Sequence, residues 1–189
     1  MDTRKFVYSV YDDIKSSYYK TILLYGEMLS VFLKRDIKSA KLIKQKNIDA
    51  KYLPQRIPED GFIDWNQNSE DIKNFVNALT KPYPGAYSTF DNGVKIIIWK
   101  SIPFSIELKI KYKVGQLVKI FAYNDLLVKT KDSYLLISEF EIVDHKKKLK
   151  EGTILKSKNF NNQIKNIVNR HKKNYPKQKI SQLILKKIS

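Results

Sequence analysis

The chain has 189 residues, enough for one ordinary domain or two small ones, and its content of 42% hydrophobic residues excludes a wholly disordered protein. No apolar run approaches the roughly 20 residues that span a bilayer, and the N-terminus lacks the apolar stretch of a signal peptide. Cysteine is absent, which excludes disulfides and thiolate metal sites. We therefore expect a cytoplasmic protein with no membrane span and no metal site.

The net charge of +17 is concentrated in the last quarter of the chain. Residues 146–189 hold thirteen Lys and one Arg against a single acid, Glu151, which makes +13. Such a patch attracts phosphates of RNA, of a nucleotide or of an anionic lipid. It also fits a lysine-rich composition with no binding role. Arginine binds phosphate more specifically, and the four arginines are scattered, at Arg4, Arg35, Arg56 and Arg170.

The N-terminal fifty residues predict one long helix. Residues 5–10 alternate weakly and suggest a short strand, after which Asp12 or Asp13 is suited to cap a helix. Apolar residues then recur at spacings of three and four, which predicts a helix to about residue 33 whose stripe faces a core. Its members are Ile14, Tyr18, Ile22, Tyr25, Leu29 and Phe32. Residues 34–50 read as a polar connector with a short helical piece.

A second helix follows a segment that prolines and a glycine keep irregular. Pro54, Pro58 and Gly61 exclude regular structure before it, and Pro82 ends it. Asn68 with Asp71 resembles a capping arrangement. The helical spacing is carried by Ile72, Phe75, Val76 and Leu79.

From residue 86 the pattern changes to a period of two, which predicts a small closed or nearly closed barrel of short strands. A tight turn is expected at residues 91–93 because Asn and Gly tolerate positive φ. Helical spacing returns in the tail at residues 161–173 and 181–187, with Pro176 between them. The candidate strands are residues 86–90, 94–101, 116–123, 126–130 and 134–142, with a further run at 152–155.

The words PEDGFIDW, NALT, PYPGA and VKIIIW occur in order within residues 52–99. In order and spacing they resemble the folate-dependent formyltransferase family, which includes methionyl-tRNA formyltransferase and amino-sugar N-formyltransferases. The resemblance covers roughly residues 1–155. It implies an α+β fold in which a helical remnant of a Rossmann-like catalytic domain is followed by a linker, a helix, a small OB-like antiparallel β-barrel and a basic helical tail.

The resemblance also implies domain boundaries. Residues 1–50 would be the remnant of the catalytic formyltransferase domain, residues 51–62 the linker, residues 63–157 the OB-like C-terminal domain and residues 158–189 the basic tail. Within the joint, we expect Asp64 and Trp65 to anchor the linker. We expect Tyr83, Pro84 and Gly85 to set the corner before the first strand.

Members of the family transfer a formyl group from 10-formyltetrahydrofolate to a primary amine, and the resemblance implies a catalytic Asn, His and Asp. The HPSLLP-like motif that carries the Asn and His is absent from this sequence. The N-terminal residues resemble the family's DTG segment with Arg4 in place of Gly, so that Asp2 matches the catalytic Asp. The alternative is that Asp2 is an exposed acid at a frayed terminus. We expect neither His145, in a solvated turn, nor His171, on the surface of a basic helix, to replace the missing His.

Two functions remain open. The chain is either the C-terminal part of a formyltransferase, inactive alone or dependent on an N-terminal chain or a homo-oligomer, or an OB-like module that binds tRNA. Aromatic residues and lysines interleave at residues 109–123, which favours the second. The corner LTKPYPGA resembles members that formylate nucleotide-linked amino sugars more than the NPWPGA-like tRNA enzymes, whereas the basic tail favours tRNA. The amino sugar is slightly favoured as the acceptor, with methionyl-tRNA next, because lysine richness also has a compositional explanation. We expect phosphates of a nucleotide sugar or tRNA as partners, and no cofactor for the chain alone.

Overall fold

A computed structural model describes residues 3–34, 50–91, 93–143 and 149–186. The chain divides into two compact units, Met1–Ala50 and Lys51–Ser189, which are described separately. None of the helices among the described residues combines the length and the apolar character needed to cross a membrane.

Helix α1, Ile14–Leu33, is the regular element described in the first unit. Of the two candidate caps, Asp13 is the one used: its carboxylate accepts the Ser16 N–H at 2.7 Å, and the Ser16 hydroxyl accepts the Asp13 N–H at 3.1 Å. Asp12 instead accepts from Lys20 and from the backbone of Ser9, and these bonds hold its carboxyl pKa below the usual range. The predicted strand at residues 5–10 is wrong, since residues 3–9 have no regular structure.

The apolar stripe of α1 is exposed, against the expectation that it faces a core. Tyr25 is 68% exposed and Phe32 44%, and Ser17 is the buried residue of the helix. The physical reason is that the described part of this unit holds no second helix or strand on which the stripe packs.

The second unit contains five antiparallel strands in the order β1-β2-β5-β4-β3. The first five predicted strands are confirmed, with bounds that differ by up to three residues, and β5 has the predicted bounds. The further run at residues 152–155 is not a strand, and its residues 154 and 155 form isolated β-bridges. The strands are β1 (Ala86–Thr89), β2 (Lys95–Phe104), β3 (Leu117–Ile120), β4 (Leu126–Lys129) and β5 (Tyr134–Ile142).

Helix α2, Ser69–Leu79, packs against β2 and closes one side of the core. Ile72 and Val76 are its buried apolar positions, as the spacing predicts. Alternate residues of the strands face the same core, since successive side chains of a strand point to opposite sides. The largest of the fully buried side chains are Trp65, Phe90, Ile63, Ile96, Ile98, Leu117, Leu126, Leu135, Ile137 and Leu155.

The five strands form one open sheet, so the closed barrel remains a prediction. Backbone groups at both edges of this sheet form hydrogen bonds with residues 153–156. The Leu117 N–H donates to the Thr153 carbonyl and the Leu155 N–H to the Gly115 carbonyl, both at 2.8 Å. On the other edge, the Lys156 N–H donates to the Thr89 carbonyl at 2.7 Å.

The N-terminus of α2 is capped by a residue far away in sequence. Asn68 occupies the N-cap position, but its side chain makes no capping hydrogen bond. The Ser69 N–H instead donates to the Asp132 carboxylate at 2.9 Å, and the Ser69 hydroxyl lies 3.3 Å from the second carboxylate oxygen. The predicted capping by Asn68 and Asp71 is therefore wrong, and a carboxylate from the β4–β5 turn accepts a free N–H of the first turn instead.

Two helices complete the chain: α3 at Phe160–Asn174 and α4 at Gln182–Leu185. Both confirm the predicted tail. Ile164, Ile167 and Val168 on α3 are buried, and Phe160, Ile180, Ile184 and Leu185 pack against them.

Candidate functional site

The predicted catalytic residue, Asp2, lies outside the described residues, and so do His145 and most of the predicted connector at residues 34–50. The role of Asp2 therefore remains a prediction. In the part of the chain that the structure describes, no group of three His, Cys, Asp or Glu side chains is placed to hold a metal ion.

His171 is buried, at 6% exposed, which corrects the expectation of a surface residue. Its ring lies 5.2 Å from the ring of Tyr175, and no described residue bonds to its Nε2. The sequence held a signal for this burial, because residue 171 continues the helical spacing of Ile164, Ile167 and Val168. The imidazole therefore belongs to the packing of α3 and is not exposed as a substrate-binding group.

Asp64 anchors the linker to the segment that leads into α3, as expected. One carboxylate oxygen accepts the Ser157 hydroxyl at 2.8 Å and the Asn66 N–H at 3.1 Å. The other accepts the Phe160 N–H at 2.8 Å, at the first residue of α3. The bond to α3 is favourable because a carboxylate is stabilised at a helix N-terminus. Asp64 thus connects the linker, residue 157 and α3 in one joint.

Trp65 is fully buried beside this joint. Its backbone N–H donates to the Ser157 hydroxyl at 2.9 Å, and its indole N–H lies 3.3 Å from the Ser88 hydroxyl. Ser88 in turn donates to the Lys156 carbonyl at 2.7 Å. The indole therefore serves packing and anchoring, and it has no exposed face for a ligand.

The corner before β1 is built as predicted. The Gly85 N–H donates to the Leu79 carbonyl at 3.0 Å and the Tyr83 N–H to the Thr80 carbonyl at 3.1 Å. Gly85 has φ +87°, and a Cβ there would lie 2.4 Å from Ile97 Cγ2. The turn after β1 also agrees: Gly93, with φ +83°, donates to the Phe90 carbonyl.

Two of the four arginines, scattered in sequence, converge on Asp60. Arg170 forms a two-pronged ion pair with the Asp60 carboxylate. Arg56 donates to the Asp60 carbonyl at 3.3 Å and stacks 5.3 Å from the centre of the Phe75 ring. Burial lowers the pKa of Arg56, and the charge of Asp60 opposes that effect. Arg170 is already paired with a carboxylate, so this cluster is structural and does not favour phosphate.

A cavity of about 690 Å³ lies beside the β3–β4 hairpin. Glu139, which pairs with Lys100 at 3.5 Å, is the charged residue among its described lining. Tyr123 at the rim is 93% exposed. The lining is Ile120, Tyr123, Asn124, Leu126, Ser138, Glu139, Phe140, Ile142 and Leu149. Its apolar floor and single carboxylate do not suit a phosphate group.

The interleaved residues 109–123 separate into two groups. Tyr112 packs edge-on against Tyr134, with 6.5 Å between the ring centres, and so belongs to a second apolar cluster. Phe121 and Tyr123, at the tip of the β3–β4 hairpin, are exposed and available for stacking. The tip is held by the Phe121 N–H, which donates to the Asp125 carbonyl at 2.8 Å.

The solvent side of α3 consists of amides and lysines and contains no acid. Its buried side carries the apolar residues and Arg170 pairs with Asp60, so the exposed side is the part of the helix free to meet a polyanion. The exposed members are Asn161, Asn162, Lys165, Asn166, Asn169, Lys172, Lys173 and Asn174.

Comparison with known proteins identifies the sheet and its joint. The sequence family described as "Formyl transferase, C-terminal domain" matches residues 56–163. The bifunctional polymyxin resistance protein ArnA of Wigglesworthia glossinidia brevipalpis is 41% identical over 101 residues, which are 53% of this chain and 14% of ArnA.

Solved structures of HypX from Aquifex aeolicus share the fold. The structure of HypX in complex with tetrahydrofolic acid superposes with a TM-score of 0.55 at 18% identity, over 94% of this chain and 28% of HypX. A HypX variant gives a TM-score of 0.54 at 22% identity, over 75% of this chain and 24% of the variant. The chain thus spans well under a third of the length of these relatives.

The family match covers more than half of the chain and includes Asp64, Trp65, the corner at residues 83–85 and the whole sheet. The resemblance stated from residues 52–99 is confirmed. The chain belongs to the formyl transferase family and contains the C-terminal domain of that family.

Proposed function

We propose that this chain is the C-terminal part of a cytoplasmic formyltransferase, whose complete form transfers a formyl group from 10-formyltetrahydrofolate to a primary amine. The family match over residues 56–163 carries the proposal. The tetrahydrofolic acid bound to HypX supports the choice of donor. The absence of cysteine supports a reducing compartment.

Catalysis requires more than this chain holds. Attack of an amine on a formyl carbon needs a base that removes a proton, a donor that stabilises the oxyanion and a pocket that aligns both reactants. Asp2 supplies one carboxylate at most. We propose that the Asn and His come from an N-terminal catalytic segment outside these 189 residues, and that the chain alone is inactive.

In this proposal residues 1–50 are the remnant of the Rossmann-like catalytic domain, and the exposed stripe of α1 is the surface that meets the rest of that domain. Residues 51–62 form the linker, residues 63–157 the OB-like domain and residues 158–189 the basic tail. The hydrogen bonds of residues 153–156 to both edges of the sheet support the OB-like barrel.

Complementation tests this function. The purified chain is mixed with an N-terminal formyltransferase polypeptide that holds the Asn and His motif, and release of tetrahydrofolate is followed with a nucleotide-linked amino sugar or methionyl-tRNA as acceptor. We expect activity only when the two polypeptides are mixed. We expect the amino sugar to be the preferred acceptor because of the corner LTKPYPGA. No gain over the N-terminal polypeptide by itself would contradict the proposal.

The role of Asp2 has a matched control in the same assay. Asp2→Asn removes the proposed catalytic carboxylate, whereas Asp71→Asn removes an exposed carboxylate on α2. We expect the first variant to lower the complemented activity at least about a hundredfold, as for loss of a general base, and the second to leave it unchanged. Equal activities would assign Asp2 to an exposed terminus.

The second candidate function is tRNA binding, which the acid-free amide and lysine side of α3 favours. Binding through phosphates weakens as salt rises. We expect Lys165→Ala with Lys172→Ala to weaken tRNA binding and to lower the slope against salt by about one per lost contact. Lys100→Ala, which removes a lysine paired with Glu139, is the control. Binding that is undetectable at low salt would exclude this function.

A further inference from the structure

The end of the chain pairs with the start of the second unit. Tyr52 and Ile180 form a parallel β-bridge. The Tyr52 N–H donates to the Lys179 carbonyl, and the Ser181 N–H donates to the Tyr52 carbonyl, both at 3.1 Å. These residues all lie outside the family match at residues 56–163, so the pairing is a feature of this chain beyond the shared domain.

A second contact joins the same two segments three residues further along the linker, at Gln55. Besides its ion pair with Asp60, Arg170 donates to the Gln55 carbonyl at 3.2 Å. Asp60 also accepts the Ile57 N–H at 2.8 Å. The Asp60 side chain is 10% exposed and that of Arg170 32%, so the pair is partly shielded from water. Shielded, two-pronged pairs of this kind hold a geometry better than exposed ones.

The tail packs against α3, which connects these two contacts. Ile180, Ile184 and Leu185 pack onto the buried face of α3 and so place residue 180 where it bonds to Tyr52. The base of α3 is fixed by the bond from the Phe160 N–H to Asp64. The linker is thus held at both of its ends by one continuous element.

We propose that residues 164–186 form a clamp that holds residues 52–60 in one path and so fixes how the chain enters the C-terminal domain. Arg170 is its positioning residue. The clamp rests on contacts within the second unit alone. Its consequence for formyl transfer rests on the proposed function.

Amide hydrogen exchange of the full chain tests the clamp, because its two contacts can be released separately. Arg170→Ala removes the ion pair and the bond to Gln55. Truncation after Pro176 removes the strand pairing with Tyr52. The readouts are the Ile57 amide, which donates to Asp60, and the Tyr52 amide, which donates to Lys179.

A clamp acts as one unit, so either change should accelerate exchange of both amides by about tenfold or more. Two independent contacts would each release their own amide alone, and that result, or unchanged exchange at both, would overturn the proposal. Lys172→Ala, an exposed lysine on the same helix, is the control and should change neither amide. The amides of β5 report whether each variant remains folded.

Arg170→Lys provides a second variant if removal of the whole side chain unfolds the protein. It keeps the charge and loses the two-pronged geometry, so we expect an intermediate acceleration at both amides. In the complemented enzyme, Arg170→Ala should lower kcat and leave KM for 10-formyltetrahydrofolate unchanged. If both amides exchange faster as expected, but neither the parent chain nor any variant is active in the complementation assay, the clamp is supported and the proposed function is contradicted.

Discussion

Replacing Gly85 by alanine should weaken the corner between α2 and β1 for two reasons that can be measured apart. The backbone there has φ +87°, and the left-handed region costs a residue with a Cβ about 1 kcal/mol. The added Cβ would also lie 2.4 Å from Ile97 Cγ2 and 2.7 Å from Trp99 Cζ3. Relief of such contacts in a packed region typically costs about 1–3 kcal/mol. We therefore expect Gly85→Ala to lower the free energy of unfolding by about 2–4 kcal/mol.

Gly93 is the matched control. It has nearly the same backbone angle, φ +83°, and a Cβ there meets no atom within 4 Å. Gly93→Ala should therefore cost only the backbone part, about 1 kcal/mol. Urea denaturation followed by Trp fluorescence gives both free energies, provided that the slopes with denaturant agree. If the Gly85→Ala variant is no less stable than the Gly93→Ala variant, the claim that close packing around Gly85 excludes a Cβ is refuted.

Two further predictions concern polar groups. Burial alone raises the pKa of Asp132, but hydrogen bonds from Ser69, Thr130 and nearby backbone outweigh it, and the net pKa is lowered. The stability that Asp132 contributes by capping α2 is therefore fully present above about pH 4 and is lost as pH falls through the folded pKa. Asp132→Asn should lower the free energy of unfolding by about 1 kcal/mol at pH 7 and by less at pH 3, as measured by urea denaturation. An equal loss at both pH values would contradict this. His171→Leu removes a buried Nε2 to which no described residue bonds, so the melting temperature should stay equal or rise; a clear fall would reveal a partner.

Elements defined by periodicity were predictable from the sequence. The spacing of Ile72, Phe75, Val76 and Leu79 gives α2, and alternation gives β5 with its observed bounds. These patterns are readable because burial of one face requires its apolar residues to recur with the period of the element. The corner at Gly85 was also predictable, because the residues that form it are close together in sequence.

Pairings between distant residues were not predictable. Asp132, which caps α2, lies 63 residues from Ser69, and Arg170 lies 110 residues from Asp60. Asn68 was the local choice for the cap and is not used. Local patterns contain no information on which distant side chain reaches a free N–H, since that depends on how the sheet brings its turns together.

The sequence by itself determined the family and the order of helices and strands, because the words in residues 52–99 and the periodicities are properties of short segments. The tertiary structure alone decided that the α1 stripe is exposed, that His171 is buried, that both edges of the sheet bond to residues 153–156 and that the tail holds the linker. Each of these depends on a surface being covered or left open by residues far away in sequence. Burial and pairing are relations between segments, and they exist only once the chain has folded.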